Sequence, residues 1–449
     1  MTLKNCLVYR DGNFVKMDLN VEKGIFVDNP SEPLIDATGY YVMPGFVDSH
    51  AHVIGTGHKY GHVNLENVGS IEELLQILQA EDHGVIIGRG WSEEKLGTRP
   101  TRQLLDLLEK PVLLIRRCGH VAVANRSLME LTGRWREDGV FKEQDLEQLR
   151  KDLPSREDEK FFKIGQEHFL MHGVTFVHSD DLHGLSWENL KEILKDSKMR
   201  VFEKVYFPSL SDLEKFDDFG QISDRVIVKA VKLFADGSVG GRTAWLSVPY
   251  ADDPSNFGTK LIDEEELEKF AILCERKNVQ LCVHAIGDEA LHMVGKVFSR
   301  HPNHRVIHAQ LVRNEDLSLL RKSFFSIQPH FAFEDRHLIE SVLPKNLKAL
   351  RYPFLMLFQQ GFKIAFSTDA PVSPEDPKYV IECAMKLGFT KQQAIELYTV
   401  AGARMAGLNN LGEIKSGFLA DFCLYEKNPL DLDEDPVAVY VAGELVYEK

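Results

Sequence analysis

The chain has 449 residues, of which 44% are hydrophobic and 27% charged, and its formal net charge at pH 7 is −15. These proportions are those of a globular protein, and the length suits either a large barrel with a smaller domain or two to three separate domains. The acidic balance argues against nucleic acid or an anionic membrane as the main partner.

The chain carries no predicted membrane span, because no run of 18 apolar residues occurs. Its first residues, MTLKNCLVYRDGNFVKMD, lack the apolar core and cleavage site of a signal peptide, and we expect a cytoplasmic protein. The oligomeric state stays open, with a homo-oligomer as one alternative. No CxxC pair occurs among the scattered cysteines, which predicts neither a disulfide framework nor a zinc ribbon.

Both ends of the chain are rich in predicted strands. Near the N-terminus, Asp11-Gly12 lies between two partly alternating runs, and near the C-terminus Ala442-Gly443 lies between two short runs. Such dipeptides are typical of β-hairpins. We therefore predict a small β-sandwich domain that is formed by both termini, residues 1–43 and 408–449.

The middle of the chain, residues 44–407, alternates short apolar runs with amphipathic segments, which is typical of βα units and a parallel sheet. Eight strands are predicted, in YVMPGFVDSHAHV, GVTFVHSD, RVFEKVYFP, RVIVKAVKLFAD, VQLCVHAIGD, HRVIHAQLV, FFSIQPHF and FKIAFSTDAP. The predicted fold class is therefore α/β, with a (β/α)8 TIM barrel. Thr390 and Gln393 are spaced as the capping box of a late helix.

About a hundred residues, roughly 54–160, separate the first two predicted strands, which is too long for an ordinary βα loop. The segment contains the strand candidates GVIIGRGW and PVLLIRRC and the helix candidate SIEELLQILQA. We predict an inserted α/β segment that covers the active-site face of the barrel. At its start, His58 and His62 are flanked by glycines, so we expect them in a loop.

Several predicted strands end in a side chain that binds metals or ionises, and a barrel enzyme carries its chemistry at that edge. His50 and His52 are two residues apart, so on a strand both face the same side. The later strands add four more such residues, which are Lys232, His284, His308 and Asp369. Each alone has a structural explanation, such as a hydrogen-bonded histidine or an aspartate that caps a turn. Together they form a nitrogen and oxygen donor set suited to zinc, and also to manganese or iron.

Lys232 lies in an otherwise apolar strand, where the ordinary explanation is a lysine whose ammonium group reaches solvent. The alternative is a desolvated lysine with a lowered pKa, which can react with carbon dioxide. The resulting carbamate has two oxygens that can bridge two cations. Lys229 in the same strand is a rival, although by parity it faces the other way.

The order of the motifs PGFVDSHAH, VKLFADGSVGGRTA, VHAIGD, HRVIHAQLV and STDAPV resembles the amidohydrolase superfamily. Within it, the chain is similar to the branch of YtcJ-like metal-dependent hydrolases and N-substituted formamide deformylases. GRGWSEEKL and GHVAVAN are similar to that branch's inserted region, and the C-terminal GARMAGLNNLGEIKSGFLADFCLYEKNP is similar to its tail. The resemblance covers nearly the whole chain and implies a terminal β-sandwich with a barrel that carries the metal site.

The resemblance also implies a role for each of the six residues at the strand ends. It makes His50, His52, His284 and His308 metal ligands and Lys232 the residue that is carboxylated, as N6-carboxylysine, where two ions are bound. It implies that Asp369 is a ligand and the general base, which takes a proton from metal-bound water and passes it to the leaving group. The cofactor is then a divalent metal, zinc before others, in one or two copies.

The implied reaction is hydrolysis of an amide-like C–N bond by metal-activated hydroxide, and esters or cyclic ureides are compatible with the same chemistry.

His120, Asn125 and Arg242 are candidates for substrate binding, with Arg242 suited to a carboxylate. Their structural alternatives are a helix cap for Asn125 and an internal ion pair for Arg242. His178, which closes the second strand, is predicted to be a hydrogen-bonded core histidine, with a supporting contact to a metal ligand as the alternative. Alternative functions are a metal-assisted esterase, isomerase or decarboxylase, or a non-catalytic barrel relative.

Overall fold

The computed structural model describes residues 1–81, 84–116, 121–142, 145–146, 148–149, 152–153, 158–181 and 185–449. The chain divides into two compact units. The first unit consists of Met1–Val53 and Gln166–Lys449, and the second consists of Ile54–Gly165. The first unit contains the barrel together with a sheet from both termini, and the second unit is the inserted α/β segment.

Both termini contribute strands to one eight-stranded sheet. The N-terminal and C-terminal parts join where Tyr41–Pro44 pairs in antiparallel fashion with Phe422–Tyr425. A buried apolar cluster that includes Val8, Phe26 and Phe422 packs on this sheet. The strands are Thr2–Arg10, Asn13–Glu22, Ile25–Val27, Leu34–Asp36, Tyr41–Pro44, Phe422–Tyr425, Ala438–Val441 and Glu444–Glu448.

The two predicted hairpins of this sheet are confirmed. Asp11 and Gly12 connect the first two strands with φ angles of 49° and 88°. Ala442 and Gly443 connect the last two strands with φ angles of 52° and 71°. Two consecutive positive φ angles are the requirement of the tight hairpin turn whose twist matches that of the flanking strands. The sequence limits 1–43 and 408–449 of the terminal domain stay a prediction.

The predicted barrel is confirmed as eight parallel strands that are paired in chain order. Where the ends of the row meet, the Asp369 amide donates to the carbonyl of His50 at 2.9 Å, and the His52 amide donates to the carbonyl of Ala370 at 2.8 Å. Barrel strands 1 to 8 are Phe46–Ala51, Val174–Ser179, Arg200–Tyr206, Val226–Phe234, Gln280–Ala285, Arg305–His308, Phe324–Ile327 and Lys363–Phe366.

An apolar cluster fills part of the barrel and includes one buried residue from each of strands 1 to 6. Such layers of inward side chains make the interior of this fold a packed core. The residues are Val47, Phe176, Phe202, Ala230, Cys282 and Ile307.

Helices follow most barrel strands, as the sequence predicts. The capping box is confirmed, because the Thr390 side chain accepts from the amide of Gln393, whose own side chain accepts from the amide of Thr390. Short strands add two further pairings: Gly220–Ser223 with barrel strand 4, and Leu311–Arg313 with Ala349–Arg351. The α-helices are Trp187–Lys195, Leu210–Lys215, Glu264–Arg276, Asp288–Arg300, Phe331–Glu334, Arg336–Val342, Phe354–Gln359, Pro377–Leu387, Lys391–Leu397 and Val400–Met405, and the 3-10 helices are Asn314–Leu317 and Pro429–Asp431.

The second unit has its own five-stranded sheet with two apolar clusters. Its strands are Val63–Asn64, Ile86–Trp91, Val112–Arg116, Val121–Ala124 and Val140–Lys142. Its helices are Ile71–Ala80, Glu93–Leu96, Arg102–Leu105 and Arg126–Thr132, and the helices Val53–Gly61 and Asp158–Met171 cross its limits. Among the helices of the described ranges, none combines the length and the apolar composition that a membrane crossing requires.

The loop predicted for His58 is wrong, whereas His62 lies outside helices and strands, as predicted. His58 lies in the helix Val53–Gly61, and His62 follows its end. Gly57 does not break this helix but lets it approach its neighbour, because a Cβ atom there would lie 1.7 Å from the carbonyl oxygen of Phe161. In the sequence such a glycine is read as a helix breaker, because the neighbouring backbone that requires it is not visible there.

Gly45, which precedes barrel strand 1, gives a prediction about packing. A Cβ atom at Gly45 would lie 2.1 Å from Oγ1 of Thr175, so Gly45→Ala should lower the free energy of unfolding by about 1–3 kcal/mol, the usual cost of overpacking. Gly240→Ala is the matched control, because its nearest neighbour, Leu338 Cδ2, lies at 3.4 Å. Urea unfolding of both variants checks this, and equal stabilities would contradict it.

Candidate metal centre

The six predicted ligand residues all lie at the carboxyl ends of barrel strands. Two belong to strand 1 or follow it directly, one lies within strand 4, one each lies in strands 5 and 6, and one follows strand 8. In that order they are His50 and His52, Lys232, His284, His308, and Asp369. The parity argument for the lysine agrees with the burial, since the side chain of Lys232 is 1% exposed whereas Lys229 is exposed.

His50, His308 and Asp369 form a buried cluster whose ligand atoms all lie within 4.8 Å of one another. His50 Nε2 lies 3.1 Å from Oδ1 of Asp369, and the ring centres of His50 and His308 are 5.5 Å apart. The structure therefore brings residues from strands 1, 6 and 8 to one point.

A second cluster contains a residue that the sequence analysis missed. His50, His52 and Asp180 also have ligand atoms within 4.8 Å of one another. Asp180 follows strand 2, and its Oδ1 lies 2.7 Å from His52 Nδ1. Its other oxygen, Oδ2, lies 2.6 Å from Lys232 Nζ. Asp180 thus connects His52 to Lys232.

His284 and His308 are held by hydrogen bonds that leave one ring nitrogen of each available. His284 Nε2 lies 3.1 Å from the carbonyl oxygen of Gly237, which can only accept, so this nitrogen carries the proton. His308 Nδ1 lies 3.0 Å from Gln328 Oε1, and the Gln328 amide group donates to Ser367 Oγ at 2.8 Å. With the amide orientation fixed in this way, Nδ1 donates and Nε2 of His308 is left without a proton. Such outer contacts set the tautomer of metal-binding histidines.

Burial and neighbouring charges set the protonation of the site. Burial lowers the pKa of His50 and His284 well below the usual value, and it also lowers the pKa of His308. For His52 the effect of burial is outweighed by Asp180 and Asp369, which raise its pKa to about 10. For Asp369 burial is likewise outweighed, and hydrogen bonds from His50 and His52 hold the pKa of that carboxyl well below its usual range.

Two of the candidate ligands have unusual backbone conformations. The φ angles of His308 and Asp369 are 78° and 58°, in the left-handed region. Residues other than glycine cost of order 1–3 kcal/mol there, and such positions cluster at functional sites. The surrounding hydrogen bonds therefore maintain these conformations.

Asp48, which precedes His50 by two residues, connects barrel strand 1 to the segment that follows barrel strand 8. Its carboxylate accepts from the His50 amide at 3.1 Å, from the Thr368 hydroxyl at 2.6 Å and from the Tyr398 hydroxyl at 2.8 Å. Burial raises the pKa of Asp48 to about 6. These contacts are to protein donors, so Asp48 supports the backbone next to His50 and Asp369.

The donor set fits a divalent metal ion. Neutral imidazoles and carboxylates are the ligands that zinc, manganese and iron accept in proteins. His50 Nδ1 is buried and has no hydrogen-bond partner among the described residues, so this ring is not held by protein contacts on both nitrogens.

The candidates for substrate binding do not join these clusters. Arg242 pairs with Asp252, with Nη2 2.7 Å from Oδ2, as its structural alternative requires. Asn125 is buried in the second unit, where its side chain caps the helix Arg126–Thr132 and bonds to the backbone of Val112 and Lys110. His120 lies outside the described residues. His178 is buried, and its Nδ1 lies 2.8 Å from Arg305 Nη1.

Comparison with known proteins identifies the family of the chain. A profile of the group described as "Amidohydrolase family" matches residues 34–447. The Bacillus subtilis (strain 168) protein YtcJ, which is named as an amidohydrolase, is 28% identical, over 94% of this chain and 92% of its own. An N-substituted formamide deformylase of Arthrobacter pascens is 19% identical, over 94% of this chain and 91% of its own. A crystal structure of an uncharacterized metal-dependent hydrolase of Pyrococcus furiosus superposes with a TM-score of 0.85 at 29% identity, covering 96% of this chain and 99% of that one.

Asp236 gives a prediction about the loops that carry the site. Its buried carboxylate accepts from the amides of Trp245, Ile286 and Gly287, and so ties the loop after strand 4 to the loop after strand 5. Asp236→Asn leaves at least one buried amide facing a donor, which should cost about 1–3 kcal/mol of unfolding free energy. Asp252→Asn, an acid in the same loop whose ion pair with Arg242 is exposed, should change stability by less than about 1 kcal/mol. Thermal unfolding compares the two variants, and an equal effect of both would contradict the prediction.

Proposed function

Because this chain belongs to the amidohydrolase family, we propose that it is a metal-dependent hydrolase that cleaves an amide-like C–N bond of a small molecule. The observation that carries the proposal is the convergence of His50, His308 and Asp369 with the second cluster at the carboxyl end of the barrel. The names of the relatives support the bond type, since one is named as an amidohydrolase and another as a deformylase of N-substituted formamides.

The residues that would hold the ion are the six candidates, with zinc as the first choice and one or two ions. When bound, a divalent cation supplies Lewis-acid polarisation of a carbonyl group and lowers the pKa of a water molecule from 15.7 to about 7. His284 and His308 present their unprotonated nitrogens for this purpose, because Gly237 and Gln328 fix their tautomers. Asp369 contributes an ionised carboxylate.

Asp369 is the residue that moves the proton in this proposal. Its Oδ1 lies 3.1 Å from His50 Nε2 and 3.6 Å from His52 Nε2, so the carboxylate faces the point where the donors converge. The carboxylate takes one proton from the attacking water, whose oxygen bonds to the carbonyl carbon. The C–N bond then breaks and the same proton passes to the departing nitrogen, so that an acid and an amine result.

The carboxylation of Lys232 is part of the proposal. The ammonium group is buried and paired with one carboxylate, Asp180. Reaction with carbon dioxide forms a bond between Nζ and the carbon of carbon dioxide and releases two protons. The charge of the side chain thereby changes from +1 to −1. This change offsets the charge of one added divalent cation, which favours a pair of ions when the carbamate is present. Arg242 stays a candidate for binding a substrate carboxylate.

A substrate screen on zinc-loaded protein tests the proposed bond type. The classes are N-formyl amines, N-acyl amino acids, cyclic ureides and esters, each measured by release of the amine or the acid. Hydrolysis of a C–N class is the expected result. Turnover of esters alone, or of none of the four classes by protein that binds stoichiometric zinc, would overturn the proposal.

The proton role of Asp369 predicts a specific loss. Asp369→Asn should lower kcat on the best substrate of the screen by at least about 10²-fold, the low end for loss of general acid–base catalysis. Asp376→Asn is the control, because Asp376 lies seven residues later and caps the helix Pro377–Leu387, a position that asparagine also fills well. A near-wild-type kcat for Asp369→Asn would show that another group moves the proton.

The role of Lys232 predicts a loss of metal. Lys232→Ala should lower zinc affinity and activity by more than about 100-fold, because loss of a hydrogen-bond partner of a metal ligand already costs about 10- to 100-fold. Acetate or propionate should partly restore both. Lys229→Ala, an exposed lysine of the same strand, should retain wild-type zinc content. Elemental analysis and titration with zinc measure both variants. Full zinc occupancy and activity in Lys232→Ala would contradict the bridging role.

A further inference from the structure

We propose that Asp180 is a positioning residue that holds two ligands, His52 and Lys232, in the orientation that binds the metal ion. This inference rests on the proposed function, because it concerns the same centre. Asp180 follows barrel strand 2, its side chain is 2% exposed, and neither the sequence motifs nor the resemblance assigned it a role.

The contact with His52 selects one tautomer of that imidazole. Nδ1 of His52 lies 2.7 Å from Oδ1 of Asp180 and 3.3 Å from the Asp180 carbonyl oxygen, and both oxygens can only accept. Nδ1 therefore carries a proton and donates it. When the ring binds a cation, Nε2 is therefore the nitrogen that gives up its proton and serves as the ligand atom.

The position of Nε2 agrees with this assignment. Nε2 of His52 lies 3.6 Å from Asp369 Oδ1, and Nε2 of His50 lies 3.1 Å from the same oxygen. Both strand 1 imidazoles thus direct their Nε2 atoms to one carboxylate oxygen of strand 8. A carboxylate on the far nitrogen of a metal-binding histidine is a common arrangement, and it fixes the ring and increases its basicity.

The contact with Lys232 holds the second ligand. Oδ2 of Asp180 accepts from Lys232 Nζ at 2.6 Å. An ammonium group has three hydrogens on nitrogen, and a carbamate formed from it retains one. Asp180 can therefore accept a hydrogen bond from Nζ in both forms, and in the carbamate form this bond directs the new carboxylate group away from Asp180.

Direct coordination by Asp180 is the competing explanation, because its oxygens lie within 4.8 Å of the ligand atoms of His50 and His52. We favour positioning because both oxygens lie against candidate ligands. Oδ2 accepts a hydrogen bond from Lys232 Nζ, and Oδ1 lies 2.7 Å from His52 Nδ1, although Oδ1 accepts no well-aligned hydrogen bond among the described residues. The two explanations differ in a measurable way. A positioning residue acts through its partner, whereas a direct ligand contributes even when the partner is absent.

A double-mutant cycle on zinc affinity tests the proposal. The metal-free full chain is titrated with zinc against a competing chromogenic chelator, for the wild type, Asp180→Asn, His52→Ala and the double variant. Asp180→Asn should raise the Kd for zinc by about 10- to 100-fold. In the His52→Ala background the same substitution should change the Kd by less than about fivefold, because only the contact with Lys232 is left to lose.

Asp181→Asn is the matched control. Asp181 is a buried acid of the same loop, and its carboxylate accepts from Ser179 Oγ and from the amide of Val53, next to His52. It therefore anchors the same segments through Ser179 and Val53, and its substitution should change the zinc Kd by less than about threefold. Circular dichroism and thermal unfolding confirm that each variant is folded.

Three results would overturn the role of Asp180. They are a zinc Kd within about twofold of wild type in Asp180→Asn, an equal loss in Asp181→Asn, or an undiminished effect of Asp180→Asn in the His52→Ala background. The titration needs no substrate, so its failure is distinguishable from failure of the proposed function. Wild-type protein that binds zinc but hydrolyses none of the screened substrates would refute the proposed reaction and leave the positioning role standing.

Discussion

Two backbone hydrogen bonds between the ends of barrel strands 1 and 8 are the constraint on which the centre depends. They join Asp369 to His50 and His52 to Ala370. Without them the strand that supplies two imidazoles and the loop that supplies the carboxylate would not share a register. The Asp48 side chain reinforces this junction. Its carboxylate accepts hydrogen bonds from the amide of His50 and from the hydroxyl of Thr368, the residue that precedes Asp369.

Buried charge is distributed through the barrel in a way that suits a cation site. Besides Lys232, the interior contains Lys204, which donates to the carbonyl of His178, and Arg305, which donates to the carbonyl of Ser49. Isolated buried charges are costly. Here backbone carbonyls accept from Lys204 and Arg305, and the Asp180 carboxylate accepts from Lys232. Arg305 and Lys204 thus support the backbone around His50 and Asp180. Among the described basic residues of the interior, Lys232 is the one that contacts a candidate ligand set directly.

Much of the fold follows from sequence patterns that are local. The eight strand runs and the two glycine turns specify the barrel and the terminal sheet, and the rule that barrel chemistry lies at strand ends identifies six donors. Asp180 obeys the same rule, but it stands two residues after His178, which drew attention in the motif VHSD. Applied evenly to every strand, the rule would have included it.

Other features depend on contacts that no local pattern contains. The tautomer of His308 is set by Gln328 and Ser367, which barrel registration brings together from strands 7 and 8. The helix that contains His58 tolerates Gly57 because of a backbone contact with Phe161 a hundred residues later. A single sequence contains Gly57 and Gln328, but it does not show the residues that they contact in the folded chain.

The hydrogen bonds on the outer nitrogens of His284 and His308 have a consequence for how the protein acquires its ion. In domains that are unfolded without metal, binding and folding are one event, and the metal is retained for as long as the fold persists. Here Gly237 and Gln328 orient the rings through protein contacts alone. These two rings are therefore oriented by the fold itself, so that an ion can leave and another can bind without the loss of the contacts that orient them, and the general preference of such donors along the divalent series bears on the exchange.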